Sequence, residues 1–151
     1  MDNIPREIEI KFKIDKTKKI DQELVISKNY KLLSDIEGEL AIYVNDKLFF
    51  HDQYILLMEL GISLTRWLDK VKSNIIENYH YETMDYNDGP ILELINFQDT
   101  LWRIISEWQK FEASGCFELQ VFVNAVDEFV SELQKQLLEL YNVNLKDYVN
   151  F

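Results

Sequence analysis

The chain has 151 residues, of which 47% are hydrophobic and 13% aromatic, and its formal net charge is −11. This apolar content excludes intrinsic disorder, and a chain of this length buries roughly 70% of its unfolded surface, enough for one domain over residues 1–151. The charge excludes nucleic acid and anionic membranes as expected partners, because their phosphates are negative too. It would instead speed the encounter with a cationic protein.

The negative charge is concentrated after residue 31. Residues 1–31 carry eight basic and six acidic side chains, a net charge of +2, whereas residues 32–151 carry eight basic and 21 acidic ones, a net charge of −13. Surplus carboxylates on a folded domain indicate a partner of opposite charge. We therefore expect a basic protein partner.

Cysteine content and apolar run lengths indicate the compartment. Cys116 is the only cysteine, so no disulfide can form within the chain, which suits a reducing cytosol. The first residues lack the apolar region of a signal peptide, and no apolar run reaches the roughly 20 residues that span a bilayer. We expect a cytoplasmic protein without a membrane segment.

The first fifty residues predict strands. Residues 7–14 alternate apolar and charged side chains without a break, which is the period of a half-buried strand. The lysine-rich segment 16–19 predicts a solvated turn, and 24–26 a short strand. Residues 39–51 predict a β-hairpin that turns at Asn45-Asp46, because these residue types tolerate the positive φ of a tight turn.

The period then changes to that of a helix over 53–72, where apolar residues recur every three or four positions. Asp52 is the expected N-cap, and Ser73-Asn74 the expected end. Gly61 lies in the middle of this helix, where glycine costs roughly 1 kcal/mol relative to alanine. We therefore expect that another element approaches closely at Gly61.

The middle of the chain predicts three more strands. Residues 78–86 are tyrosine-rich and partly alternating, and they lead into an acidic loop that ends at Gly89-Pro90. Strands are then expected over 91–97 and 101–108, and a helix is the alternative over 101–111.

The last long element is an amphipathic helix. Apolar residues recur at helical spacing from Leu119 to Tyr141, Leu140 among them, and a short tail follows in which Tyr148, Val149 and Phe151 could dock on the core. Short turns between successive strands require antiparallel pairing. The predicted fold is α+β: one antiparallel sheet of about five to six strands with two long amphipathic helices packed on one face.

The sequence lacks the residue patterns of common enzymes. Its two histidines, His51 and His80, lie outside any nucleophile motif, and its four glycines are isolated, unlike those of phosphate-binding loops. One cysteine and two distant histidines do not make a zinc site. We interpret each histidine as a surface or hydrogen-bonded strand residue, and we expect no cofactor, no metal and no enzymatic activity.

Two clusters instead suit the binding of a partner. Tyrosine supplies contact area and a carboxylate supplies a charge-assisted hydrogen bond, so the two together favour recognition of lysine and arginine. The first cluster lies in and after the tyrosine-rich segment, at Tyr81, Glu82, Asp85, Tyr86 and Asp88. The second lies on the polar face of the last helix, at Asp127, Glu128 and Glu132. The alternatives are a structural tyrosine strand and a plain solvated helix face.

The segment Tyr81–Leu92, together with Trp102 and Trp108–Glu112, resembles small uncharacterised acidic proteins of Gram-positive bacteria. The hairpin segment Tyr43–Phe50 is similar too, and the resemblance covers residues 40–120. Proteins of this size, charge and composition often serve as immunity proteins of polymorphic toxin systems, which bind a cognate toxin and block its active site or substrate groove. The resemblance therefore implies an acidic protein that occludes a cationic toxin domain, and it transfers no contact residue.

The expected function is thus that of an immunity or antitoxin-type protein. The alternative is a regulatory or adaptor module with another protein partner. The sequence leaves the oligomeric state and the partner's chemistry open.

Overall fold

The computed structural model of the protein describes residues 7–83, 90–98, 100–110 and 117–149. These residues form seven strands in two antiparallel sheets, together with helices, so the predicted α+β class is confirmed. The strands are β1 (Ile8–Ile14), β2 (Glu37–Val44), β3 (Lys47–Leu56), β4 (Tyr79–Tyr81), β5 (Leu92–Gln98), β6 (Leu101–Ile105) and β7 (Phe117–Glu118). The helices are α1 (Gln22–Ile26), α2 (Leu57–Lys72), α3 (Leu119–Tyr141) and α4 (Lys146–Val149), and a 3₁₀ helix spans Tyr30–Ser34.

The three-stranded sheet has the order β1-β2-β3 and confirms the predictions for this part of the chain. β1 pairs with β2 in an unbroken register from Ile8 opposite Val44 to Ile14 opposite Gly38. The β2–β3 hairpin turns at Asn45 and Asp46, whose φ angles are 50° and 67°. Two successive positive φ angles match the twist of a tight hairpin, which explains the asparagine and the aspartate.

Two predictions around this sheet are wrong. Residues 24–26 are not a strand but belong to α1, because the Asp21 carboxylate accepts a hydrogen bond of 2.9 Å from the Glu23 backbone N–H and caps a helical turn. Asp52 does not cap α2 but lies within β3. β3 continues to Leu56, and the first helical N–H, that of Leu57, donates to the backbone oxygen of Ile36.

The second sheet has the order β4-β5-β6-β7, so the predicted single sheet of five to six strands is wrong. The turn after β6 contacts β3 of the first sheet: the Lys110 N–H donates to the Phe49 oxygen, and Trp108 stacks on Phe50 at 6.1 Å. β6 ends at Ile105, and the helical alternative over 101–111 is wrong for the described part.

The tyrosine-rich strand is shorter than predicted. β4 comprises Tyr79–Tyr81, and residues 84–86 of the predicted strand lie outside the described residues. β5, by contrast, matches the predicted strand closely.

α3 confirms the predicted last helix and runs for 23 residues. It ends at Asn142, whose left-handed φ of 56° lets its N–H reach the oxygen of Leu138. The predicted docking of the tail is confirmed for Tyr148, which is buried, and for Val149, which packs on the core; Phe151 lies outside the described residues. Within the described ranges no helix has both the length and the apolarity to cross a membrane.

The two long helices join the sheets into one core. A Cβ placed on Gly61 of α2 would lie 2.5 Å from Cδ2 of Leu133 on α3, so the predicted close approach at this glycine is confirmed. Further along α2, Trp67 makes edge-to-face contacts with Tyr79 of β4 and with Phe122 of α3, at 6.0 and 5.6 Å between ring centroids. Seven residues further along α3, Phe129 contacts Phe12 of β1 in the same geometry.

We expect that Gly38→Ala destabilises the protein more than Gly61→Ala. A Cβ at Gly38 would clash with the backbone oxygen of Lys13, so β1 itself would have to move, at a cost of about 1–3 kcal/mol. At Gly61 the obstacle is the end of the Leu133 side chain, and the helical preference for alanine offsets roughly 1 kcal/mol. Free energies of unfolding from chemical denaturation measure both costs, and equal losses would contradict this ranking.

Candidate functional site

All five charged residues of α3 are exposed, and four of them are acidic. We call the four carboxylates, at Asp127, Glu128, Glu132 and Glu139, the acidic face. They extend over about 18 Å of helix, since each residue adds about 1.5 Å. Lys135 is the single basic side chain among them. α3 therefore presents one sign of charge along a rigid rod, as expected for three of these residues from the sequence.

The contacts of the acidic face are weak. Asp127 lies 3.5 Å from the Lys72 ammonium, and both side chains are more than half exposed. Such exposed pairs contribute about 0–1 kcal/mol, because water competes for both charges. The Glu132 carboxylate accepts a hydrogen bond of 2.9 Å from the Gln136 amide. These carboxylates can therefore exchange their neighbours for a stronger cationic partner at little cost.

Leu138 near the end of α3 adds apolar surface to the side of the helix that carries the acidic face, and it is 51% exposed. Leu140 is 40% exposed, but the helical spacing places it in the buried stripe on the opposite side. Leu138 therefore offers apolar contact area beside the carboxylates.

The prediction that Tyr81 contacts a partner is wrong, because its side chain is 1% exposed. β4 directs both of its tyrosines towards α2. The Tyr81 hydroxyl donates to the Glu59 carboxylate at 2.7 Å, and the Tyr79 hydroxyl lies 2.9 Å from the Ser63 hydroxyl. The structural alternative for this segment therefore holds for β4. Glu82, the next residue in the predicted cluster, is exposed.

The rest of the first cluster, Asp85, Tyr86 and Asp88, lies outside the described residues.

Burial raises the pKa of the Tyr79 and Tyr81 hydroxyls above their ordinary value of 10.0. The neighbouring Glu59 carboxylate raises the pKa of Tyr81 further, because a second negative charge beside it is unfavourable.

An open cleft of about 510 Å³ lies between α2, β4 and the 3₁₀ helix. Its wall includes Glu59, Arg66, Lys70 and Glu77, with Lys70 and Glu77 paired at 2.7 Å. Arg66 is a structural link: its guanidinium donates to the backbone oxygen of Val149 at 2.8 Å and to the Tyr30 hydroxyl at 3.0 Å. The charged groups of the cleft wall thus already have partners within the chain.

The sequence analysis did not predict the polar layer, by which we mean the hydrogen bonds that Glu59, Ser63 and Arg66 of α2 make. In the sequence, Glu59 and Arg66 are ordinary residues on the polar side of a helix, and their partners lie far away in the chain. A usable signal was the alternation in β4, where an exposed histidine stands between two tyrosines, since alternation predicts that both tyrosines share the inner face.

The interpretation of both histidines as surface or hydrogen-bonded strand residues is confirmed. His51 of β3 lies 2.6 Å from the Glu39 carboxylate, and His80 of β4 lies 2.8 Å from the Glu93 carboxylate. Among the residues that the structure describes, no group of three or more His, Cys, Asp or Glu side chains is arranged to hold a metal ion.

We expect the free energy of unfolding to fall as the pH rises above 10, the ordinary tyrosine pKa. The folded state keeps Tyr79 and Tyr81 protonated, whereas the unfolded state releases both protons, at about 1.4 kcal/mol per pH unit for each tyrosine. Chemical denaturation at increasing pH measures this slope, and Tyr81→Phe should reduce it. The control Tyr54→Phe removes a hydroxyl that is exposed to water, and an equal reduction in both variants would contradict the assignment.

Comparison with known proteins assigns the chain to a protein family. No curated protein and no solved structure matches the chain. A family model described as Domain of unknown function (DUF7878) matches residues 10–139 of the 151, and the chain therefore belongs to that family.

Proposed function

We propose that this protein is an immunity or antitoxin-type protein that binds a cationic toxin domain and occludes it without catalysing a reaction. The observation that carries the proposal is the acidic face of α3: four exposed carboxylates and one lysine on a single helix. A partner with a row of lysine and arginine side chains complements this pattern.

The rigidity of α3 supports binding by occlusion. Its opposite face is held by buried Phe122, Phe129 and Leu133, so the backbone that carries the carboxylates needs no reordering when a partner arrives. A backbone that is already positioned loses less entropy on binding. A helix laid along a basic groove would exclude a negatively charged substrate from that groove by steric block and by charge together.

The chain's overall charge supports fast association. A net charge of −11 steers a cationic protein from solution, and this attraction weakens as salt screens it over about 10 Å at 0.1 M. Fast capture suits a protein that must neutralise a toxin before the toxin reaches its target. A cytoplasmic location follows from the same role, since the cytoplasm is where such a toxin acts.

The test is co-expression with the cationic toxin domain that the proposal requires, which is sought among the genes that neighbour the gene of this protein. We expect the wild-type chain to restore growth and to form a stable complex with that domain. The double variant Asp127→Lys with Glu128→Lys should lose protection, because it changes the acidic face by four charge units. Association rates measured at rising salt should fall for the wild type and fall less steeply for the variant.

The matched control is Glu23→Lys with Asp69→Lys, which makes the same two kinds of substitution at exposed sites on α1 and α2. This control should keep protection, so loss in both variants would assign the effect to net charge and contradict a site on α3. A complex that forms but gives no protection would favour the regulatory or adaptor role. A chain that neither binds nor protects would overturn the proposal.

A further inference from the structure

β1 is the edge strand of its sheet, and within the described residues one of its sides pairs with no strand. It pairs with β2 alone, and all seven of its residues keep one register. The Glu7 oxygen accepts from the Asn45 N–H, and the Asp15 N–H donates to the Glu37 oxygen, so the odd-numbered residues direct their backbone groups towards β2. The backbone groups of Ile8, Ile10, Phe12 and Ile14 therefore point the other way. Among the described residues, no strand pairs with them.

The middle of this edge borders a groove. Ile8 and Ile14 at the ends of β1 are buried, whereas Ile10 and Phe12 between them are half-buried. They line a groove of about 660 Å³ that Phe129 of α3 also borders. The charged side chains around it are of both signs: Glu9, Glu128 and Glu132 against Lys11 and Lys135. An occupant of one charge sign would meet repulsion there, so the groove suits a strand that carries both signs.

β1 itself carries both signs in a mirrored order. Glu7 and Glu9 precede Ile10, and Lys11 and Lys13 follow it. Their side chains share the outer face of the strand, where the Lys11 ammonium lies 3.5 Å from the Glu9 carboxylate of the same strand and both side chains are partly exposed. A strand with this order is complementary to its own antiparallel copy.

We propose that two copies of the protein pair through β1 about a two-fold axis at Ile10, which joins their three-stranded sheets into one sheet of six strands. In this register Glu9 lies opposite the partner's Lys11, and Glu7 lies opposite the partner's Lys13. Ile8 lies opposite the partner's Phe12 on the inner face, so apolar side chains fill the groove beside Phe129. Cross-strand pairs of opposite charge stabilise a sheet, and like charges directly opposite destabilise it.

The charges select this register over its neighbours. An axis at Lys11 would place Lys11 opposite itself, and an axis at Glu9 would place Glu9 opposite itself. An axis at Phe12 would oppose Lys11 to the partner's Lys13, and an axis at Ile8 would oppose Glu7 to the partner's Glu9. A shift by a single residue would place apolar side chains opposite charged ones. This inference concerns the chain's own assembly and does not rest on the proposed function.

The experiment measures molar mass by light scattering and by sedimentation over a range of concentrations, on the full chain. We expect the wild type to approach twice 18.1 kDa. Glu9→Lys and Lys11→Glu should each raise the dimer dissociation constant by about tenfold or more, because two symmetric pairs become repulsive. Circular dichroism checks that each variant is folded, which is expected because both side chains are exposed.

A mixture of the two single variants tests whether Glu9 and Lys11 pair across the dimer interface. In the mixed pair every opposed charge is again attractive, so an equimolar mixture should recover the dimer that neither variant forms alone. Lys31→Glu, an exposed reversal on the 3₁₀ helix, should leave the dimer intact. A monomeric wild type, a dimer that resists both reversals, an open-ended oligomer, or a mixture that stays monomeric would each overturn the proposal.

Discussion

The close packing of α2 against α3 holds this protein together. At Gly61 there is no side chain, and Leu133 occupies the space that one would fill. The contact brings Trp67 between Tyr79 and Phe122, and it places Phe129 against Phe12, so the same helix pair touches both sheets. The two sheets share no strand pairing within the described residues, and this helical layer packs against both of them.

The same packing determines what the surface can present. α3 must direct its apolar residues to both sheets, so all of its charged residues stand on the remaining face. That face is rigid because the buried one is fixed. In β4 the packing against α2 buries residues that could otherwise meet a partner. Its two tyrosines form hydrogen bonds with Glu59 and Ser63 and are therefore not available at the surface. Proximity to α2, more than residue type, decides which tyrosines could meet a partner.

The sequence was sufficient where one period runs without interruption. β1, the hairpin at Asn45-Asp46 and α3 each have such a period, and each is found as predicted. It failed where a capping group or a tertiary contact decides. Residues 24–26 have the composition of a strand, but the Asp21 cap makes them part of a helix. Tyr81 has the composition of a contact residue, but it is buried because β4 packs on α2. The division into two sheets likewise follows from no local sequence pattern. Three of the eight predicted contact residues fall outside the described ranges.

The chain places two kinds of charge pattern on separate elements, and the difference limits what each can bind. The acidic face of α3 carries one dominant sign, so it would repel its own copy and needs a cationic protein. β1 carries two acidic and two basic side chains in mirrored order, and among the described residues its outer backbone edge pairs with no strand, so a copy of itself satisfies it in one register. A basic peptide on β1 would match Glu7 and Glu9 but oppose Lys11 and Lys13. The two surfaces therefore suit different partners: a cationic protein for the acidic face and a second copy of the chain for β1.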